Sequence, residues 1–214
     1  MGSSAVTKGR FLSLEGGEGA GKSTQVRALA AALGDRGIDT VVTREPGGSE
    51  GAEAIRALLM QGDATRWSAR AEALLFAAAR ADHVEKVIRP ALDAGRWVIC
   101  DRYIDSTRAY QGVAGGIDDR AILALHDFGS SGLLPDRTFL LTLPAEVGAA
   151  RAAARDGVAA DRFARRDPRF HAAVAAAFDD FATSEPARFS RIDATQPPAV
   201  VTAAMLDALA DLLP

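Results

Sequence analysis

Phe11-Leu12-Ser13-Leu14-Glu15-Gly16-Gly17-Glu18-Gly19-Ala20-Gly21-Lys22-Ser23-Thr24 carries an apolar run into a glycine-rich turn and then into a helical pattern. From Gly16 onward it satisfies G-x-x-x-x-G-K-[ST] in the strand–loop–helix setting that the motif requires. Glycines let successive backbone N–H groups turn inward around phosphate oxygens, where a side chain would block the approach. Lys22 is placed to reach the β- and γ-phosphates, and the Ser23 hydroxyl to hold Mg²⁺. The helix that follows aims its N-terminus at the same anion. A plain Gly-rich turn at a strand end is the alternative without chemistry, and the flanking strand and helix patterns argue against it. Gly16, Gly17, Glu18, Gly19, Ala20, Gly21, Lys22, Ser23 and Thr24 are therefore assigned to a nucleoside triphosphate.

Outward from the loop, strand-like runs alternate with Ala- and Leu-rich helical stretches, the pattern of βαβ units around a mainly parallel sheet. Strands are expected near 11–14, 40–43, 97–100, 137–143 and 189–192. Helices are expected at 22–33, 50–59, 70–92 (bent or ended near Pro90) and 200–213. The reading is an α/β three-layer fold: about five strands flanked by helices in one domain, residues 10–214, behind a flexible N-terminus, 1–9. At 214 residues the chain is long enough for one such domain and short for two.

The net charge of −3 gives no footprint for general nucleic-acid binding. No apolar run approaches the roughly 20 residues of a membrane span, and the first residues carry no apolar signal core. A cytoplasmic location is the expectation. The single cysteine, Cys100, excludes an internal disulfide and reads as a buried structural thiol. His83, His126 and His171 have no metal-ligand spacing and read as structural.

Two further features bear on chemistry. Asp101 and Arg102 end a buried strand, where open α/β sheets place ligand-binding residues. A carboxylate there can steady Mg²⁺, and the planar arginine fork suits a phosphate. Capping and surface solvation are the alternatives. The second feature is an arginine-rich segment at about 150–170, with Arg151, Arg155, Arg162, Arg165, Arg166 and Arg169. Such a run is ordinarily a solvated face, but beside a phosphate loop it fits a cationic lid that closes over a transferring group.

In Thr43-Arg44-Glu45-Pro46-Gly47-Gly48, in Asp101-Arg102-Tyr103 with Ser106, Thr107, Ala109, Tyr110, Gln111 and Gly112, and in Phe76-Ala77-Ala78-Ala79-Arg80, the chain resembles the bacterial thymidylate kinases. Ile192-Asp193-Ala194-Thr195-Gln196-Pro197 and the loop itself are similar too, so the resemblance runs from about Arg10 to Leu213. It implies a P-loop fold and Mg²⁺-dependent transfer of the ATP γ-phosphoryl to dTMP, giving dTDP and ADP. It also implies roles for particular residues. Phe76 stacks on thymine and Arg80 donates to a base carbonyl; their i, i+4 spacing puts both on one helix face. Arg102 grips the dTMP phosphate with Arg44 nearby, and Pro46 shapes the nucleoside pocket. Glu18 contacts the sugar 3′-hydroxyl. Ser106 and Thr107 bond the base edge, Tyr110 crowds the sugar C2′ side, and Gln111 lies near the base. Arg151 packs near adenine.

Some members of the family carry a catalytic arginine within the loop, at the position held here by Gly19. The lid must then supply the cation, with Arg155 and Arg162 as candidates beside Lys22 and Arg102. Departures from the family pattern lie mainly in the lid. Ala164 stands where a glutamate is usual and Ala175 where an arginine is usual; beyond it, Gly115 also replaces a frequent arginine. They imply a lid that is looser or braced differently. The resemblance further implies a homodimer, to which the Ala-rich helix around 71–79 could contribute a face. Two rival readings remain at this point: another nucleoside monophosphate or small-metabolite kinase, or a non-enzymatic ATP switch.

Overall fold

The computed structural model describes residues 9–63, 65–156, 162–163 and 165–214. The first eight residues, read above as flexible, lie outside that description, as do lid residues 157–161 and 164 and the side chains of Arg155 and Asp156. The strands are β1 (Phe11–Glu15), β2 (Thr40–Arg44), β3 (Trp97–Asp101), β4 (Arg137–Thr142) and β5 (Phe189–Asp193). The helices are α1 (Lys22–Gly34), α2 (Glu50–Met60), α3 (Ala69–His83), α4 (Arg89–Asp93), α5 (Ile104–Thr107), α6 (Asp119–Ser130), α7 (Ala145–Asp156), α8 (Pro168–Ser184) and α9 (Pro198–Asp207).

All five expected strands are present and every pairing is parallel, in the order β2-β3-β1-β4-β5. β1 is the central strand, and each of its five residues is buried. That continuous burial is the mark of a parallel strand covered on both faces. Alternation divides its side chains between the layers. Leu12 and Leu14 join Val26, Leu29, Ile99, Phe139 and Met205 under α1 and α9. Phe11 joins Val84, Ile88, Val98, Cys100 and Ile122 on the opposite face, toward α3, α4 and α6. The chain leaves β1 toward β2 and β3 and later returns to its other side with β4. The crevice at the C-terminal ends of β1, β3 and β4 is the ligand-binding place of such sheets.

The stretch expected as one helix over 70–92 is interrupted. A wide π-helical turn, Val84–Ile88, separates α3 from α4. Pro90 follows two residues after the turn and has no N–H for an i→i−4 bond, so the wider turn absorbs the missing donor. A second π-helical turn, Arg108–Val113, swings Tyr110 and Gln111 toward the crevice. The sequence reading assigned no element to α5, α6, α7 or α8. For α6 and α8 a cue existed: Asp118 and Asp167 cap them by accepting from the Arg120 and Phe170 backbone N–H groups. α9 ends at Asp207, several residues short of its expected end.

Candidate active site

Gly21 holds a left-handed conformation (φ +83°) and lets the loop run into α1. Lys22 Nζ donates to the carbonyl oxygens of Gly16 (3.1 Å) and Gly17 (2.8 Å). Burial pushes this ammonium down to about 7 and neighbouring Arg102 adds to the effect, against Asp101, Glu15 and Glu18. An arriving polyphosphate reverses that penalty by supplying negative charge. The Ser23 hydroxyl donates to Asp101 Oδ2 at 2.6 Å, so a hydroxyl and a carboxylate from two elements meet at the loop. A hard, all-oxygen donor pair of this kind fits Mg²⁺, which takes one or two protein ligands and completes its shell with phosphate and water.

Gly19 explains itself in the structure. It has φ +70°, and a Cβ there would lie 2.1 Å from the Gly148 carbonyl oxygen. Loop and α7 meet backbone to backbone, so no side chain fits at position 19, an arginine included.

A cavity of about 200 Å³ opens beside Ser23 and Asp101, and every residue assigned to the acceptor lines it: Glu18, Arg44, Pro46, Phe76, Arg80, Arg102, Ser106, Thr107, Tyr110 and Gln111. These residues come from the phosphate loop, the end of β2 and the loop after it, the residue after β3, α3, α5 and the second π-helical turn. Arg80 is buried, with Nε donating to Glu45 Oε2 (2.7 Å) and Nη2 to Thr107 Oγ1 (2.8 Å). The other Glu45 oxygen lies 3.1 Å from His83 Nδ1, and His83 Nε2 is 2.7 Å from Thr43 Oγ1. His83, expected to be structural, thus steadies the carboxylate that steadies Arg80. Arg44 Nη2 donates to Glu53 at 2.9 Å, and Arg56 donates to the carbonyl of Pro46, which follows a cis peptide bond.

Arg102 has φ +68°, the left-handed region that side chains other than glycine rarely adopt. Its Nη1 donates to Ser106 Oγ at 3.0 Å and its guanidinium carbon lies 5.2 Å from the Tyr110 ring centroid. The Ser106 hydroxyl in turn donates to Glu15 Oε2 at 2.6 Å. Ser106 was expected at the base edge; here its hydroxyl is committed between Arg102 and Glu15. Cys100 is buried as expected, its thiol pushed well up by burial and donating to the Arg102 carbonyl at 3.0 Å.

The lid does not meet expectation in the same way. Arg162 was read as a cation for the transferring phosphoryl, yet it is 1% exposed and held at α3. It donates to Glu72 Oε1 and to the Leu59 carbonyl. Arg166 reaches the same Glu72 oxygen at 3.0 Å, and Gln111 donates to the other at 3.1 Å. Next to Arg162, Phe163 packs on Phe76 (centroids 5.8 Å apart) and lines the acceptor cavity. Arg151 donates to the Ala194 carbonyl at 2.9 Å, beside the loop after β5. Arg155 lies on α7, its side chain outside the described residues.

Glu15, Glu45, Glu72, His83 and Phe163 were not assigned to the site from sequence. Glu45 lay inside a quoted motif and could have been suspected; Glu72 could have been noticed one turn before Phe76 on the same face. Phe163 had no signal. Among the described residues no cluster of three or more His, Cys, Asp or Glu forms a metal site, and no helix is long and apolar enough to cross a membrane.

The family model for thymidylate kinase matches residues 14–205. A thymidylate kinase of Rhizorhabdus wittichii is 61% identical over 206 residues, covering 96% of this chain and 99% of the relative. One from Caulobacter vibrioides is 51% identical over 208 residues, 97% of this chain and 99% of that protein. The crystal structure of thymidylate kinase from Ehrlichia chaffeensis superposes with a TM-score of 0.76 at 32% identity, covering 94% of this chain and 99% of that one. The match runs through loop, sheet and acceptor wall alike, and the chain belongs to the thymidylate kinase family.

Proposed function

We propose the following division of labour for the reaction that family membership assigns to this enzyme, transfer of the γ-phosphoryl of ATP to dTMP to give dTDP and ADP. The observation that carries it is one cavity, with Ser23 and Asp101 at its loop end and the whole set of acceptor residues around it. Loop residues Gly16–Thr24 wrap the ATP phosphates, and Lys22 exchanges two carbonyl partners for phosphate oxygens. Arg151 flanks the adenine. Phe76 stacks on thymine, Arg80 donates to a base carbonyl, and Thr107 and Gln111 border the base. Glu18 accepts from the sugar 3′-hydroxyl, Tyr110 crowds C2′, and Pro46 shapes the nucleoside pocket. Arg102 grips the acceptor phosphate with Arg44 beside it.

Ser23 and Asp101 would hold Mg²⁺, which when bound supplies charge neutralisation on the phosphates. An acceptor phosphate oxygen is itself the nucleophile: its bond to Pγ forms as the bond from Pγ to the ADP oxygen breaks, and no strong general base is needed. Catalysis is then positioning, charge compensation and exclusion of water. Arg155 and Arg162 are the lid cations of this reading, and Arg162 reaches a phosphoryl only after leaving Glu72.

Initial rates of ADP release with ATP, Mg²⁺ and a panel of nucleoside monophosphates test the assignment. Turnover centred on dTMP with weaker dUMP supports it; equal turnover with purine monophosphates, or none with any, overturns it. A homodimer through the α3–α6 face belongs to the same reading, supported by Leu74 (57% exposed) and Phe128 (93% exposed) on that side. Sedimentation equilibrium of the wild type and Phe128→Asp checks it. A cytoplasmic site of action, where ATP is the phosphate donor, completes the reading; cell fractionation checks that.

A further inference from the structure

Glu15 is a carboxylate at the centre of the sheet that accepts from Tyr103 and Ser106, at the start of α5 and within it. It ends β1, is fully buried, and directly precedes the phosphate loop. A buried carboxylate is costly unless its lone pairs are filled. Here Oε1 accepts from the Tyr103 N–H (2.8 Å) and the Ser106 N–H (3.2 Å), and Oε2 accepts from the Ser106 hydroxyl (2.6 Å). An ionised carboxylate accepts only, so the Ser106 proton points to Glu15. The hydroxyl's free lone pair then faces Arg102 Nη1, which donates to it at 3.0 Å. The chain of donors has a fixed sense: Arg102 to Ser106 to Glu15.

Arg102 needs that restraint. Its left-handed backbone is strained in an L-residue and persists only where the surroundings over-determine it. The Arg102 N–H donates to the Leu14 carbonyl at 3.0 Å, which pins the backbone. Glu15, the next residue along β1, pins the side chain.

We infer that Glu15 is a positioning residue for acceptor binding, aiming the Arg102 guanidinium at the acceptor phosphate through Ser106. The inference rests on the reading of Arg102 as the acceptor-phosphate ligand. Leu14 and Glu15 thereby tie that arginine to the same strand end that launches the phosphate loop, so donor loop and acceptor arginine share one rigid frame. Three charged groups face Glu15 from the packed elements: Arg102, Asp105 on α5 and Lys22 on α1. Asp105 is itself paired with Arg108 and Arg188. Burial, then Asp105, pushes the Glu15 carboxyl up to about 7, with Arg102 pulling the other way. The test is therefore run at pH 8.

Glu15→Gln, Ser106→Ala, the double variant and Arg102→Gln are compared by calorimetric binding of dTMP and by steady-state kinetics. Glu15→Gln and Ser106→Ala are each expected to weaken dTMP binding about 10-fold or more, with KM for ATP within about twofold of wild type. The double variant should be no worse than the weaker single, because both cut one chain. Unchanged dTMP affinity in Glu15→Gln alongside a loss in Arg102→Gln overturns the inference alone. Equal losses for ATP and dTMP, or losses that multiply in the double variant, overturn it as well. Unchanged dTMP affinity in Arg102→Gln itself overturns the underlying reading of that arginine. Should Glu15→Gln fail to fold, Ser106→Ala carries the test, since its side chain is only half-buried and the Tyr103 and Ser106 backbone N–H groups still serve Oε1 of Glu15.

Discussion

Arg102 lines the acceptor cavity while Arg162 is buried next to Phe163, which lines it too, and each arginine is tied to a glutamate through partners about equally far along the chain. Ser106 and Glu15 are 91 residues apart, Arg162 and Glu72 are 90. What differs is the ruler between them. Leu14 pairs with Asp101 in the β1–β3 ladder, so the residues that follow, Glu15 and Arg102, meet by register. No ladder joins Arg162 to Glu72; side chains from a turn and from α3 make that contact alone. A register slip in a buried parallel sheet would turn whole rows of side chains to the wrong layer, so the acceptor arm is held as firmly as the core. The lid clasp can open without disturbing any strand.

The largest effect should come from the rigid side. Arg102→Gln is expected to lower kcat/KM for dTMP by about 1000-fold, chiefly through dTMP affinity, as steady-state kinetics will show. On the lid side, Arg162→Ala is expected to lower turnover by about 100-fold while dTMP binding stays nearly intact. Near-wild-type turnover would move the lid role to Arg155 and leave Arg162 as a structural partner of Glu72.

Stability sharpens the same contrast. Glu72→Ala strands Arg162 without its buried counter-charge, and the unfolding free energy should fall by about 3 kcal/mol in urea titration. If the clasp is as separable as its geometry implies, the loss should nearly vanish in the Glu72→Ala/Arg162→Met double variant. A last effect concerns Glu15 and pH. Its carboxyl is raised from 4.5 to about 7 in the folded chain, so the folded state holds the proton more tightly than the unfolded one. That stabilisation is fully present below 4.5 and is lost as pH rises through about 7. Glu15→Gln lacks this titration, and its urea midpoint should gain on wild type between pH 4.5 and 8. A constant gap across that window would break the assignment.

Much of the site was legible because its residues carry chemistry where they stand. Phe76 and Arg80 share a helix face by spacing alone, and the loop declares itself through the spacing of its glycines ahead of Lys22 and Ser23. The reasons behind some readings were not legible. The absence of an arginine at Gly19 is a packing fact, set by the Gly148 backbone 2.1 Å from where a Cβ would sit. Ser106 looked like a base-edge donor, and only its two partners showed its proton already committed. The π-helical turns were equally hidden, since no hydrophobic period distinguishes five-residue from four-residue closure.

By itself the amino-acid sequence determined the strand succession, the phosphate loop and the family, because these rest on local periodicity and on motifs whose residues are neighbours in the chain. Tertiary structure decided which charges answer each other: Glu15 with Arg102, Glu45 with Arg80 and His83, Glu72 with the lid. Such pairings depend on strand order and helix docking, which bring distant side chains within hydrogen-bond reach, and no local pattern records them.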